Sequence, residues 1–343
     1  MTLPSLESLR HAAEVVGAHM PPTPQYSWPL VNARAGAEVW VKHENHSPVG
    51  AFKIRGALVY LDWLRHAQPH VSGVVAATRG NHGQAVAFAA KRYGFKSTMV
   101  VPFGNSREKN LAMCAWGAEL VEHGHDFQDA SEFADRLASE RGYHRVPSFH
   151  ELLVHGGATY ALEFLSAAPA LDIVYVPIGL GSSICGMIAA RNALKLTTRI
   201  VGVVAAESPS YSISFREKRL VTHAACTRLA DGLACRVPDE EALRLIFDGV
   251  ERIAEVSEAE IADAMRALYE DTHNVAEGAG AAALAGLLQE RSAIQGKRAG
   301  IVLTGCNVDR ELFTAVLAGN PASPPVTAGQ YPGESRAQKT RPS

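Results

Sequence analysis

The chain has 343 residues, of which 33 are basic and 35 are acidic, so its formal net charge is -2. This length suits one large or two medium domains, and the balanced charge argues against nucleic acid and anionic membranes as partners. No apolar stretch approaches the roughly 20 residues that span a bilayer, and the N-terminus lacks the basic start and apolar block of a secretory signal. We therefore predict a cytoplasmic protein.

The cysteines and histidines do not have the spacing of a metal site. The five cysteines show no paired short spacing of the zinc-binding kind, so we expect buried free thiols in a reducing compartment. The 14 histidines include no HxxxH pair with an intervening glutamate. No metal is predicted.

Short β-branched runs alternate with longer amphipathic patterns along the chain. Strands are predicted at residues 73–78, 97–102, 173–178, 200–206 and 299–304, and helices at residues 83–92, 107–116, 183–193, 259–269 and 279–291. Continuous apolar strands separated by helices indicate an α/β protein with a parallel sheet covered on both faces. Residues 320–343 are polar and rich in Pro, Gly and Ser, which predicts a disordered tail.

Lys53 stands between Phe52 and Ile54, just after a Pro/Gly turn and at the start of an apolar helical pattern. Partial desolvation in this setting would lower the pKa of the lysine and make its amine a better nucleophile. Taken alone, the segment fits a solvated lysine that opens a helix better, since most lysines are solvated. The case for Lys53 therefore depends on other segments.

Residues 78–84 follow a predicted strand and lead into a helix, the position where parallel sheets bind ligands. The glycines allow close backbone approach, the amides can bind an anion, and Asn81 and Gln84 offer side-chain hydrogen bonds. A polar helix cap would explain Thr78 or Asn81 singly, but not the whole cluster.

A second strand-to-helix junction carries Gly179, Gly181, Ser182 and Ser183. Their N–H groups and hydroxyls can bind a phosphate at the positive end of a helix. The glycine spacing is not that of a dinucleotide fingerprint, and no acidic residue closes the next strand. A lone phosphate, as on a phosphorylated cofactor, fits better than a pyrophosphate.

Residues 48–57, 79–84, 179–183 and 303–309 occur in the order and spacing of pyridoxal-phosphate enzymes of the tryptophan-synthase β fold, also called fold type II. Within that superfamily the chain resembles the serine/threonine dehydratase and serine racemase group from about residue 20 to residue 318. The resemblance implies a two-domain α/β fold, the cofactor pyridoxal 5'-phosphate, an ammonia-lyase reaction on an amino acid, and a homodimer. It also implies a large cofactor-binding domain of residues 1–46 and 144–319, and a small mobile domain of residues 47–143 that closes on the substrate.

The resemblance assigns roles to particular residues. Lys53 would hold the cofactor covalently and move the α-proton, and the neutral hydroxyl of Thr304 beside the pyridine nitrogen would favour β-elimination. The cofactor-binding residues would be Phe52, Lys53, Asn81, Gly179, Leu180, Gly181, Ser182, Ser183 and Thr304. The substrate-binding residues would be Thr78, Arg79, Gly80, Asn81 and His82. Asp231 and Glu277 match further positions near the active site.

Arg79 departs from the pattern, because racemases of the group place a serine there. An arginine stays protonated and cannot act as a second base, so racemisation is not expected. Arg79 would either bind a carboxylate of the substrate or pair with an acid of the protein. Glu207 matches one metal-binding position of the racemase-like enzymes, but no acid follows six residues later.

The main functional hypothesis is a dehydratase that converts L-threonine or L-serine into a 2-oxo acid and ammonia. The nearest alternative is a bulkier or acidic substrate, such as 3-phenylserine or 3-hydroxyaspartate. A serine racemase, a non-catalytic cofactor-binding protein and an NAD-dependent oxidoreductase are further alternatives. We expect the pocket walls to come from residues 150–159 and 210–215.

Overall fold

The computed structural model describes residues 3–319, so the predicted disordered tail lies outside the described residues. The helices are α1 (Leu6–Gly17), α2 (Pro29–Ala35), α3 (Lys53–Ala67), α4 (Asn81–Tyr93), α5 (Arg107–Ala115), α6 (Phe127–Arg141), α7 (Glu151–Ala167), α8 (Ser182–Ala193), α9 (Ser210–Glu217), α10 (Glu240–Gly249), α11 (Glu258–Thr272), α12 (Gly278–Gln289) and α13 (Arg310–Leu317). The strands are β1 (Gln25–Ser27), β2 (Glu38–His43), β3 (Gly73–Ala77), β4 (Lys96–Val101), β5 (Glu119–Glu122), β6 (His144–Arg145), β7 (Ile173–Pro177), β8 (Arg199–Ala205), β9 (Arg252–Val256) and β10 (Arg298–Leu303).

The strands form two sheets, which confirms the predicted α/β class. The larger sheet has the order β1-β2-β10-β7-β8-β9, and the smaller one has the order β5-β4-β3-β6. All neighbouring strands are parallel except β1 and β2. Every residue of β3 and β7 is buried, as expected for strands covered by helices on both faces. The carboxyl ends of β7 and β10 are neighbours in the larger sheet, and both lead towards the predicted site.

Helix α3, which begins at Lys53, packs closely against α7. A Cβ atom on Gly56 would lie 2.9 Å from the carbonyl oxygen of Leu153, and one on Gly156 would lie 2.3 Å from that of Arg55. The two helix backbones therefore approach each other where neither residue has a side chain. The predicted domain division would place α3 in the small domain of residues 47–143 and α7 in the large domain. That boundary stays a prediction.

A buried ion-pair cluster fixes the same helix. The Arg55 side chain is fully buried and lies 2.7 Å from Glu44 and 2.7 Å from Glu163. It also donates a hydrogen bond to Thr159 of α7 at 3.0 Å. A buried guanidinium needs such compensation, because an unpaired charge in the interior is strongly unfavourable. The cluster ties the start of α3 to the body of the larger sheet.

All five cysteines are free thiols, as predicted. Cys114 and Cys226 are exposed, so the predicted burial is wrong for these two. Cys114 lies outside the buried side of α5, which Lys109, Asn110 and Met113 form, and Cys226 lies in an irregular segment after α9. Within residues 3–319, no helix combines the length and the apolar character needed to cross a membrane.

Replacing Gly156 with alanine should destabilise the protein by about 1–3 kcal/mol, because the added methyl group would push α7 away from α3. Urea unfolding followed by circular dichroism measures this change. Gly17→Ala is the matched control, because a Cβ atom there meets nothing within 4 Å. An unfolding free energy for Gly156→Ala equal to that of the control would contradict the close helix contact.

Candidate active site

The segment before Lys53 forms a rigid turn. The Ser47 hydroxyl donates a hydrogen bond to the Ala51 carbonyl at 2.8 Å and accepts one from the Ala51 N–H at 2.9 Å. The Gly50 N–H donates to the Ser47 carbonyl at 2.9 Å. Helix α3 starts directly after this turn, so Lys53 occupies its first position.

Two backbone hydrogen bonds join this turn to the carboxyl end of β10. The Phe52 N–H donates to the Thr304 carbonyl at 3.0 Å, and the Cys306 N–H donates to the Gly50 carbonyl at 2.9 Å. Lys53 and Thr304, which lie far apart in sequence, are thereby held side by side.

The Lys53 amine lies in an apolar environment. Its Nζ donates to the Ser182 hydroxyl at 3.1 Å and lies 5.0 Å from the centre of the Phe52 ring. Burial lowers the pKa of Lys53 to about 8, because desolvation disfavours the charged amine. About a tenth of the amine is therefore uncharged at pH 7, far more than for a solvated lysine.

The glycine loop after β7 faces this amine. Gly181 has a φ of 101° and serves as the N-cap of α8 without a side-chain hydrogen bond. A Cβ atom on Gly179 would lie 2.4 Å from the Gly232 carbonyl oxygen. The first N–H groups of a helix lack intrahelical partners, so those at the start of α8 are available to an anion.

The β3–α4 loop is fixed by one threonine. The Thr78 hydroxyl accepts hydrogen bonds from the Gly80 N–H at 2.9 Å and the Gly83 N–H at 3.0 Å. Gly80 has a φ of 153°, and a Cβ atom there would lie 2.3 Å from the Lys109 side chain. Arg79, which lies between Thr78 and Gly80 in the chain, is exposed.

Asn81 is held by two other side chains. Its amide donates to Glu277 at 2.5 Å, and its oxygen accepts a hydrogen bond from the Asn307 amide at 2.9 Å. Asn307 also donates to the Val49 carbonyl at 2.8 Å. Asn81 is thus oriented by the elements that carry Lys53 and Thr304.

Lys109 is a site residue that the sequence analysis missed. Its buried ammonium lies 2.8 Å from Asp231 and 3.5 Å from Glu277. Burial alone would lower the pKa of Lys109, but the two carboxylates outweigh it and raise the pKa. Burial in turn raises the pKa of Glu277, and Lys109 opposes this rise. Its position in the sequence could have indicated a role, because Lys109 lies in the first turn of the helix that follows the predicted strand at residues 97–102.

His82 lines the cavity next to Lys53, and its imidazole is neutral. Burial, aided by the positive charges of Lys53 and Arg145, lowers the pKa of His82 to about 3, and a hydrogen bond with the Pro147 backbone opposes the shift. Its Nε2 atom is buried and has no hydrogen-bond partner among residues 3–319. His82 therefore offers an acceptor beside Lys53.

The predicted site residues surround one cavity of about 580 Å³. They are Phe52, Lys53, Thr78, Arg79, Gly80, Asn81, His82, Gly179, Leu180, Gly181, Ser182, Ser183 and Thr304. Their individual roles stay predictions. The predicted walls at residues 150–159 and 210–215 do not line this cavity, although Leu153 borders a small pocket beside Lys53. Most of these residues belong to helices that pack into the core. Residues 126–128, 224–226 and 231–237 form the walls instead.

No group of three or more His, Cys, Asp or Glu side chains in the described part of the chain could hold a metal ion. The cavity is built around a lysine amine, an open helix N-terminus and hydroxyl groups. This arrangement is compatible with a cofactor that carries an aldehyde and a phosphate group.

Comparison with known proteins gives the class of the protein. The family described as pyridoxal-phosphate dependent enzyme matches residues 16–305, so the chain belongs to this family. An L-threonine ammonia-lyase of Geobacter sulfurreducens is 36% identical over 302 residues, which cover 87% of this chain and 73% of the relative. An L-threo-3-hydroxyaspartate ammonia-lyase of Saccharomyces cerevisiae is 29% identical over 327 residues, which cover 95% of this chain and all of the relative (100%).

The solved structure of maize serine racemase superposes with a TM-score of 0.86 and 26% identity, and the match covers 93% of this chain and 98% of that one. The predicted fold type II and the predicted resemblance to threonine ammonia-lyases are confirmed.

Replacing Lys109 with methionine should destabilise the protein by about 3–5 kcal/mol at pH 7, because two carboxylates would lose their buried counter-ion. The loss should shrink as the pH falls towards 5. The raised pKa of Glu277 makes the folded state bind more protons than the unfolded state, so acid relieves the repulsion. Urea unfolding across this pH range measures both effects.

Lys96→Met is the control for Lys109→Met, because Lys96 is exposed and should change the unfolding free energy by less than about 0.5 kcal/mol. A Lys109→Met protein as stable as the control at pH 7 would contradict the buried cluster.

Proposed function

We propose that the protein is a pyridoxal-phosphate-dependent ammonia-lyase that converts a 3-hydroxy amino acid into a 2-oxo acid and ammonia. The observation that carries the proposal is the position of Lys53. Its amine has a pKa lowered to about 8 and lies 3.1 Å from Ser182 at the open N-terminus of α8. A nucleophilic amine and an anion-binding loop are thus adjacent, as an aldehyde cofactor with a phosphate requires.

The residues of the cavity fit the cofactor. Lys53 would hold it covalently, and Phe52 would contact the ring. The N–H groups and hydroxyls of residues 179–183 would bind the phosphate, and the lack of side chains on Gly179 and Gly181 lets this loop pack against Gly232 and Ala242. The Thr304 hydroxyl, which also lines the cavity, would lie beside the pyridine nitrogen. Asn81 keeps one amide hydrogen available for the ring oxygen, because only one is given to Glu277.

The bound cofactor supplies an electron sink for the substrate's Cα–H bond. The N–H groups at the start of α4 would bind the α-carboxylate, because a helix N-terminus attracts anions. Lys53 would accept the α-proton once its amine is free, and its lowered pKa suits a base near neutral pH. The β-hydroxyl leaves as water, and a later water replaces the amine with the oxo group, so water is neither gained nor lost.

The cavity argues against the alternative activities. A racemase needs a second base, but this chain has an arginine at position 79, a residue type that does not act as a base, and Lys109 is held as an ammonium by two carboxylates. An NAD-dependent oxidoreductase would need a pyrophosphate loop, which the spacing of Gly179, Gly181 and Gly186 does not match. A non-catalytic binding protein would not require a lysine amine with a lowered pKa in the cavity.

The default substrates are L-threonine and L-serine. The names of the Geobacter and yeast relatives, with L-threonine and L-threo-3-hydroxyaspartate, support a substrate with a 3-hydroxyl group. The yeast relative also supports the acidic alternative. A cytoplasmic homodimer remains part of the proposal.

The test is the formation of 2-oxo acid and ammonia, in equal amounts, from L-serine, L-threonine, 3-hydroxyaspartate and 3-phenylserine. At least one substrate should react, and Lys53→Ala should lower kcat by roughly 10²- to 10⁴-fold or more, because the base is lost. Lys96→Ala, at an exposed lysine, should leave the activity unchanged. A colourless protein that binds NAD, or one that racemises serine without releasing ammonia, would contradict the proposal.

A further inference from the structure

Arg79 is an exposed arginine on the wall of the cavity. Among residues 3–319, its guanidinium makes no side-chain hydrogen bond and no ion pair, so the structure offers no support for pairing with a protein acid. Arg55 and Arg145, by contrast, pair with Glu44 and Asp135 at 2.7 and 2.8 Å. All five N–H donors of Arg79 remain available to a ligand, and their fork matches a carboxylate.

The backbone that carries Arg79 cannot shift easily. Thr78 directly precedes Arg79, and its hydroxyl accepts hydrogen bonds from the N–H groups of Gly80 and Gly83, which follow Arg79. Gly80 packs against the Lys109 side chain, which is itself fixed by Asp231. The side chain of Arg79 can change its rotamer, but the backbone from which it extends keeps a fixed position relative to α4.

The α-carboxylate and Arg79 would lie next to each other. The N–H groups of Asn81 and His82 belong to the first turn of α4 and have no intrahelical acceptor, whereas that of Gly83 is taken by Thr78. Both residues line the cavity, so they can receive one carboxylate. Arg79 precedes Asn81 by two residues and His82 by three, and it lines the same cavity.

Two guanidiniums and one paired ammonium lie among the charged side chains that line the cavity. The ammonium of Lys109 is compensated by Asp231 and Glu277. Arg236 also lines the cavity and is exposed. The carboxylate of Asp126 accepts the Asp129 N–H at the start of α6. The three lining carboxylates balance the charges of Lys109 and the two guanidiniums, so selection of an anionic substrate would depend on direct contact with a guanidinium and not on a net positive potential.

We propose that Arg79 binds a second carboxylate, carried on the β-carbon of the substrate, so that the substrate class is 3-hydroxyaspartate. This inference rests on the proposed ammonia-lyase function, because it assigns the β-substituent of the same substrate. The methyl group of threonine would cover the guanidinium without giving it an acceptor, which is unfavourable. The products would be a 2-oxo dicarboxylic acid and ammonia.

The test compares kcat/KM for 3-hydroxyaspartate with that for L-serine, L-threonine and 3-phenylserine. The wild-type protein should prefer 3-hydroxyaspartate. In Arg79→Ala the ratio of kcat/KM for 3-hydroxyaspartate to that for L-serine should fall about 10- to 100-fold, the range expected for a charged hydrogen-bonded pair. In Arg79→Lys this ratio should fall by a smaller factor, because lysine keeps the positive charge but lacks the forked pair of N–H donors of a guanidinium.

Arg65→Ala is the matched control, because Arg65 is also exposed but lies outside the cavity, and it should keep the wild-type ratio. Arg236→Ala distinguishes a direct contact between the substrate and Arg79 from general electrostatic attraction to the cavity. If the positive potential alone selects the substrate, Arg79→Ala and Arg236→Ala will lower the ratio equally and salt will abolish both effects, and the proposed contact with Arg79 is then wrong.

Binding gives a second readout that does not depend on turnover. The dissociation constants of L-aspartate and L-alanine, which lack a β-hydroxyl, are measured from the change in cofactor absorbance. L-Aspartate should bind more tightly than L-alanine to the wild-type protein, and Arg79→Ala should remove the difference. A wild-type preference for serine, threonine or 3-phenylserine, or an Arg79→Ala protein with the wild-type ratio, would overturn the inference. Failure to release ammonia from any substrate would instead reject the proposed function, and the aspartate measurement would still decide the role of Arg79.

Discussion

Two backbone hydrogen bonds between residues 50–52 and 304–306 are the constraint on which the site depends. They attach the turn before Lys53 to the carboxyl end of β10, which lies beside β7 in the larger sheet. The loop after β7 brings Ser182 to the Lys53 amine. Side chains from distant parts of the chain therefore meet because one short turn is hydrogen bonded to the end of one central strand.

The electrostatic environment of Lys53 differs from that of the other buried cations around it. Arg55 has Glu44 and Glu163 as partners, and Lys109 has Asp231 and Glu277. Both remain charged, because the nearby carboxylates compensate for desolvation. Lys53 donates to the hydroxyl of Ser182, which gives no such compensation, and burial lowers its pKa. Lys53 thus differs from Arg55 and Lys109 in having no carboxylate partner.

The sequence predicts the α/β class, and the predicted site residues lie around one cavity, because both follow from local patterns. Apolar strands followed by glycine-rich or polar junctions mark the loops at residues 78–84 and 179–183 as ligand sites. Lys109 escaped notice because its importance comes from Asp231 and Glu277, which are distant in sequence. The wall prediction at residues 150–159 failed for a related reason, since the glycine contact between α3 and α7 turns that helix into the core. Contacts between distant segments have no local signature, so they appear only in the folded protein.

The central claim is that Lys53 is the reactive amine, and chemical mapping tests it most directly. The apoprotein is incubated with pyridoxal 5'-phosphate between pH 7 and pH 9, reduced with borohydride, digested and analysed by mass spectrometry. The account predicts that Lys53 is modified before the exposed lysines, at a rate that rises with pH and levels off above its pKa of about 8. It also predicts that Lys53→Ala loses the absorbance band near roughly 410–420 nm. Modification spread evenly over the exposed lysines, with Lys53 unmodified, would contradict it.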